Sequence, residues 1–550
     1  MKRLIAAFCA ALICAAVVPR PADACTNLIV TKGASADGST MITYNADSHE
    51  FYGELVLIPG GSFPAGARRE IIEGDSRKFL GWIPQAPLTY WVVGNINEHQ
   101  VSTGETTFTG RDELKPDPPI GIDYVSLMNL GMERAKTARE AIKVMTDLVT
   151  EYGYASTGES ISVADPNEAW ILEIIGKGKG VKGAAWVARR VPDGYISAHA
   201  NQARIRQFPQ SDPANCLYSK DVISFAREKG WFSGKDEDFS FADTYAPLDF
   251  GALRACEARV WSMFRRAAPS ANLSIDYVKG VPGATPLPLW IRPDRKLSVA
   301  DVMALMRDHF EGTEFDMTKD VGAGPFACPY RWRPMTFKVD GQEYVNERAI
   351  STQQTGYSFV AQMRSSLPDP IGGVIWWGVD DTYSTVWAPM YCGIREVPKP
   401  YGVGVADLHH FSWDSLFWVF NWVANFAYSR YSDMIVDIQQ VQLELEGRFL
   451  ADQPGIDKAA LALYAQAPDL ARDYLTRYSV AQGELVHKRW RKLGEDLLVK
   501  YMDGNVKDTQ GNVTHPKYPD SWYRQIVQDH GTVIKVPPTP TPTPAPAPTH

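Results

Sequence analysis

The chain has 550 residues, of which 45% are apolar and 22% charged, with a formal net charge of −8. That balance belongs to ordinary folded proteins, not to disordered or membrane-embedded ones, and the length admits one large domain with appendages or two to three ordinary domains. No long Lys/Arg run supplies the electrostatic footprint that phosphate backbones need, so nucleic acid is excluded as an expected partner.

Lys2 and Arg3 precede the apolar run Leu4 to Val18, and Pro19-Arg-Pro-Ala-Asp-Ala24 follows. A basic start, a short apolar stretch and an A-x-A end read as an export signal over residues 1–24 cleaved after Ala24. Two other readings stay open, an uncleaved anchor and a lipoprotein signal with Cys25 lipidated. The prolines interrupt too soon for a span of roughly 20 residues, and Ala22 and Asp23 fit a lipobox poorly. Cleavage removes Cys9 and Cys14 and leaves Cys25, Cys216, Cys256, Cys328 and Cys392. In an oxidising compartment four of these pair, and Cys216 with Cys256 and Cys328 with Cys392 is the expected pairing on sequence separation alone. Cys25 is then the spare thiol.

Thr26–Lys32 and Thr40–Ala46 are β-branched and apolar around Gly33-Ala-Ser-Ala-Asp-Gly38, which reads as a hairpin that lays Asp47 near Cys25. Further strands are expected at Glu54–Pro59, Leu88–Gly94, Ala169–Ile175, Ala184–Arg189 and Gly194–Ala200. Most are apolar on both faces and suit a sheet covered on either side. Helices are expected at Asp123–Arg134, Ala138–Tyr152 capped by Thr137, Leu253–Arg266 and Val299–His309 after Ser298. Sheets and helices thus share one core, an α+β fold over residues 25–407. From 408 to 530 the chain turns helical, with Met434, Ile438, Val441 and Leu445 repeating at four, three and four. Leu416–Ala427 is apolar but short and holds Asn421, so it reads as a buried helix and no membrane span is expected. Residues 531–550 form a Pro/Thr-rich tail expected to be extended.

A thiol on an N-terminal residue lies beside a free α-amine whose ordinary pKa, about 7.7–8.0, makes it a usable base near neutral pH. One residue then supplies nucleophile and base, and the remaining needs are a carboxylate to orient the amine and donors for an oxyanion. Taken singly, Cys25 also fits a half-disulfide or chance thiol, Asp47 a turn residue and Asn201 a loop cap.

The run from Cys25-Thr-Asn-Leu-Ile-Val-Thr-Lys-Gly to Met41-Ile-Thr-Tyr-Asn-Ala-Asp-Ser48 resembles the start of the dipeptidase A family of cysteine peptidases, which belongs to the N-terminal-nucleophile (Ntn) hydrolases. The likeness continues through Asn97-Glu-His99, Gly104-Glu-Thr-Thr-Phe108, Ala164-Asp-Pro-Asn-Glu-Ala-Trp170, Ser197-Ala-His-Ala-Asn201, Phe315-Asp-Met-Thr-Lys319, Ala323-Gly-Pro-Phe326 and Pro389-Met-Tyr391, and spans residues 25 to about 430. The resemblance implies a four-layer αββα core with Cys25 heading a central strand as nucleophile. It also implies Asp47 as the acid that holds the α-amine and Asn201 as an oxyanion donor. Arg259 matches a basic residue near the site, or is a helix-surface arginine. Tyr44 stands where many relatives carry Arg, and Thr107 lies near a second oxyanion donor of related acylases, so the substrate contacts of both positions are open.

His409-His410 lack further spaced ligands, and neither metal nor cofactor is expected. The expected protein is an exported cysteine dipeptidase acting on short peptides. The rival readings are an amidase or acylase of the same chemistry and a lipidated non-catalytic binding protein; a homo-oligomer is left open.

Overall fold

A computed structural model describes residues 25–74, 76–117, 121–332 and 335–538. The expected export signal, 1–24, and residues 539–550 of the expected tail lie outside the described residues. The strands that frame the site are, in chain order, β1 (Asn27–Val30), β2 (Thr40–Asp47), β3 (Ser102–Phe108), β4 (Gly158–Ala164), β5 (Ala169–Gly176), β6 (Ala184–Arg190), β7 (Ile196–His199), β8 (Thr355–Met363), β9 (Val374–Val379) and β10 (Ala388–Tyr391). The helices are α1 (Tyr124–Arg134), α2 (Ala138–Tyr152), α3 (Ala258–Ala267), α4 (Val299–Met306), α5 (Leu416–Tyr428), α6 (Tyr431–Tyr464) and α7 (Pro468–Tyr501).

The expected hairpin forms. Asp37 accepts hydrogen bonds from Ser35 and Ser39, Gly38 takes φ +73°, and Ile29 pairs with Ile42. Carried to the strand ends, this register sets Thr26 opposite Asn45, so Cys25 lies one residue out of step with Asp47. A seven-stranded antiparallel sheet runs Trp290–Ile291, β7, β1, β2, β8, β9, β10. An eight-stranded one runs Cys216–Tyr218, β6, β5, β4, β3, Ile96–Asn97, Val92–Val93, Leu57–Ile58.

Successive side chains of a strand point to opposite faces, and on β5 both faces are apolar. Trp170, Leu172 and Ile174 join a core with Leu127 of α1 and Ile142 and Met145 of α2. Ile171 and Ile175 join the core that holds Ile29, Ile42 and Phe359 of the first sheet. Gly104 makes the approach of β3 to the first sheet close: a Cβ there would lie 2.6 Å from Asn27 Oδ1 and 3.3 Å from Tyr44 Cβ. On the far side of the first sheet, Met306 of α4 accepts from Thr43 and Asn45 of β2.

Local chemistry sets the helix ends. Thr137 accepts from the Glu140 amide at the start of α2, and Gly153 (φ +101°) ends it. Ser298 and Asp301 form a capping box at the head of α4. Asp123, expected inside α1, is instead its cap. The expected helix Leu253–Arg266 is divided: Ala252–Glu257 is π-helical and only then does α3 begin. Helix α4 stops at Met306, short of the expected His309, whose side chain turns instead to Tyr330.

The C-terminal helices build on the same core. Helix α5 lies against β9 and α7 runs along β10, which covers the edge of the sheet. Trp490 stacks on Phe420 with ring centroids 4.4 Å apart, and Met434, Ile438, Val441 and Leu445 are all buried. Among the described residues no helix is long and apolar enough to cross a membrane. A further helix, Asp520–Ile534, carries regular structure past residue 530.

The expected disulfides are corrected: Cys216, Cys256, Cys328 and Cys392 are all free thiols, as is Cys25. Nearness in sequence had placed them together, but the fold separates them. Cys216 opens a strand of the eight-stranded sheet, Cys256 sits in the π-helical turn, and Cys392 follows β10 with its thiol on the Asp369 carbonyl at 2.9 Å.

Candidate active site

Cys25 stands at the head of β1, held there by reciprocal backbone bonds between Thr26 and Asn45. Cys25 and Asn27, two residues apart and so on one face of the strand, both reach β3 of the second sheet. The Cys25 Sγ lies 3.7 Å from Glu105 Oε1 and 3.6 Å from the Tyr44 hydroxyl, which itself donates to Glu105 Oε1. Asn27 Nδ2 fixes that stretch of β3 by donating to the Glu105 carbonyl at 2.6 Å. Burial, followed by the charges of Glu105 and Asp47, holds the Cys25 thiol well above its ordinary pKa, although the Asp47 amide and the Tyr44 hydroxyl favour the thiolate. Cys25 therefore rests as a thiol, and any attack by its sulfur requires a base.

Arg259 organises the other side. Its Nη1 donates to the Cys25 carbonyl at 2.5 Å and to Thr26 Oγ1 at 2.8 Å, and its Nη2 to Asn201 Oδ1 at 2.8 Å and the Ala200 carbonyl at 3.2 Å. The side chain is buried, which overturns the helix-surface reading. Burial, then the like charge of Arg348, lowers its pKa to about 10, so it stays cationic at neutral pH. Its Nε bonds Ala255 in the π-helical turn; such wide turns are common where a functional side chain must be re-aimed. Asn201, in the left-handed region at φ +60°, donates from Nδ2 to the Thr107 carbonyl at 2.7 Å. The Thr107 hydroxyl bonds Glu105 at 3.4 Å.

Asp47 is wholly buried at the end of β2. Arg348 Nη2 donates to its Oδ2 and Thr355 Oγ1 to its Oδ1, each at 2.6 Å. Burial raises its pKa from the ordinary value, against the pull of Arg348, Thr355 and Arg259. Beside Tyr44 opens a cleft of about 370 Å³, walled by Phe51, Tyr52, Tyr357 and Trp377. Among the described residues no cluster of His, Cys, Asp and Glu could hold a metal ion; His410 bonds the exposed Asp407.

The sequence matches the model of peptidase family C69 over residues 24–57 and 62–444. The chain belongs to peptidase family C69. Members of that family are cysteine peptidases, and this chain is a hydrolase of peptide bonds. It is similar to a probable dipeptidase of Latilactobacillus sakei, 28% identical over 398 residues, 69% of this chain and 76% of the relative. A probable dipeptidase of Salmonella dublin is 26% identical over 390 residues, 68% of this chain and 82% of that one. Probable dipeptidase A of Streptococcus pyogenes serotype M3 is 24% identical over 485 residues, covering 84% and 95% of the two chains.

In this C69 peptidase the six residues singled out from sequence, Cys25, Tyr44, Asp47, Thr107, Asn201 and Arg259, fall into one connected group. Cys25 joins Tyr44 and Arg259 directly, Arg259 joins Asn201, and Asn201 joins Thr107. Asp47 reaches the group through its backbone amide at the thiol and its field on Arg259. Sequence reasoning gave no role to Glu105, Arg348 or Thr355. Glu105 had a readable signal, a lone acid inside the matched segment Gly104–Phe108. Arg348 and Thr355 had none, because what qualifies them is contact with a carboxylate some 300 positions earlier.

Proposed function

We propose that the protein is a dipeptidase of the Ntn type, exported and then cleaved after Ala24 so that Cys25 becomes the first residue. The observation that carries this reading is the clamp on Cys25: its carbonyl is held by Arg259 while its thiol faces Tyr44 and Glu105. That clamp fixes the residue bearing the nucleophile while leaving its amine to act. The succession of α1–α2, eight-stranded sheet, seven-stranded sheet and α3–α4 supports an Ntn αββα core, and the names of the relatives support dipeptides as substrates.

The chemistry then runs in balanced steps. The Cys25 α-amine takes the thiol proton, and the thiolate attacks the scissile carbonyl carbon to give a tetrahedral oxyanion near the Asn201 amide. Collapse breaks the C–N bond, and the α-ammonium passes its proton to the leaving amine. Water, deprotonated by the same amine, attacks the thioester, releases the acyl product as a carboxylic acid and restores the thiol. Asp47, fixed by Arg348 and Thr355, supplies negative charge beside the ammonium form of the base, and Arg259 holds the backbone from which the amine projects. Cys25→Ala is expected to lower turnover of an unblocked dipeptide by at least about a thousandfold with the fold retained. Undiminished turnover by that variant rules out Cys25 as the nucleophile.

A further inference from the structure

A dipeptidase must distinguish a substrate with two free ends from a longer or blocked one, and the residues around Cys25 described so far do not do so. The cleft beside Tyr44 has the features for it. Tyr44 lines this cleft and its hydroxyl lies 3.6 Å from the Cys25 sulfur, so a single side chain links the cavity to the thiol. Its volume of about 370 Å³ lies near the bottom of the range of roughly 300–1,000 Å³ for small-molecule sites, which suits a short substrate. Tyr357 and Trp377, stacked with centroids 4.7 Å apart, form an apolar wall. Three charged residues line it: Glu50 and Arg77, both exposed at its rim, and the half-buried Glu54.

Glu54 is half-buried, and burial raises its pKa against a hydrogen bond from the Gly404 backbone and the field of Arg77. Arg77 acts on it through space and not by direct contact. It is set in place by a tight turn in which it adopts φ +59° and donates its backbone N–H to the Glu73 carbonyl at 3.0 Å. Two acids and one cation therefore line a small cleft that is joined to the thiol through Tyr44, and Glu54 is the more buried of the two acids. In a dipeptide the ammonium nitrogen is two bonds, about 2.5 Å, from the scissile carbonyl carbon, and the carboxylate follows on the other side of the same bond. Opposite charges flank one scissile bond, and groups of both signs line this cleft.

On the dipeptidase reading above, we infer that this cleft reads both ends of an unblocked dipeptide, Glu54 taking its α-ammonium and Arg77 its C-terminal carboxylate. Charge-assisted hydrogen bonds are roughly twice as strong as neutral ones, enough to disfavour a substrate that lacks either end.

The test compares kcat/KM of the protein beginning at Cys25 on one unblocked dipeptide, its N-acetyl derivative and its C-terminal amide. Wild type should favour the unblocked form over both. Glu54→Gln should lower the unblocked rate about 10–100-fold and so collapse the preference over the N-acetyl derivative, whereas Glu54→Asp should keep most of it. Arg77→Gln should collapse the preference over the amide and keep that over the N-acetyl derivative. The inference is overturned if each variant lowers all three substrates equally, or if both keep wild-type preferences; in those outcomes the dipeptidase reading survives. Wild type that cleaves acylated amides faster than any dipeptide removes the dipeptidase reading, and the subsite with it.

Discussion

Two wholly buried aspartates sit at the ends of nearby strands of one sheet and are treated in opposite ways. Asp47, closing β2, is met by the Arg348 guanidinium and the Thr355 hydroxyl and lies within the field of Arg259. Asp380, just past β9, accepts from Asn421 of α5 through Oδ1, while its Oδ2 has no hydrogen-bond partner. Burial, assisted by the charge of neighbouring Asp381, pushes Asp380 up to about 8. The protein sets arginines against the buried charge near Cys25, and leaves a protonated acid where α5 joins the sheet. Burial alone thus does not decide whether a carboxylate stays charged; the cation set against it does, as it also does for Glu257 with Arg204 and Asp457 with Arg364.

The largest expected effect comes from removing that cation. Arg348→Met strands the Asp47 charge and is expected to cost about 3–5 kcal/mol of stability, read from urea unfolding at pH 7, together with most of the activity. A variant as stable as wild type would erase the contrast between the two sites.

Asp380 sharpens the comparison through pH. Its folded pKa of about 8 stands above the ordinary aspartate value near 3.9. Between those limits the folded state binds more protons than the unfolded one, so this group makes stability fall as pH rises from about 4 to about 8. Asp380→Asn should remove up to about 1.4 kcal/mol per pH unit of that slope, seen as a flatter unfolding free energy between pH 5 and 8. An unchanged slope would place Asp380 among ordinary, ionised carboxylates. The smallest effect is at Thr355: Thr355→Val deletes one bond to Asp47 and should cost about 1 kcal/mol, with a correspondingly small loss of kcat/KM.

How much of this was legible in the sequence follows from the range of the forces involved. The hairpin was readable because its turn residues and alternation act locally, and it brought Asp47 near Cys25 to within one residue. Ala138–Tyr152 was readable to the residue because Thr137 caps it and Glu140 stands in its first turn. The π-helical turn before α3 was not, since Leu253–Arg266 has ordinary helical composition and the irregularity arises where Arg259 reaches Cys25. The pairing of thiols failed for a related reason, as sequence separation does not report which layer a cysteine enters. Family likeness located Asn201 and Arg259, and only the fold showed that they bond to each other. Tyr44, a departure from that likeness, proved to contact the Cys25 thiol, and the fold sets Glu105 against both.

The central claim is that Cys25 attacks with its own α-amine as base. It is tested most directly by comparing two preparations of the folded protein, one beginning at Cys25 and one retaining Ala24, for turnover of the same unblocked dipeptide. The account predicts activity in the first and, in the second, a loss of at least about a hundredfold, since an amide nitrogen is no base near neutral pH. Equal turnover by the two would contradict it.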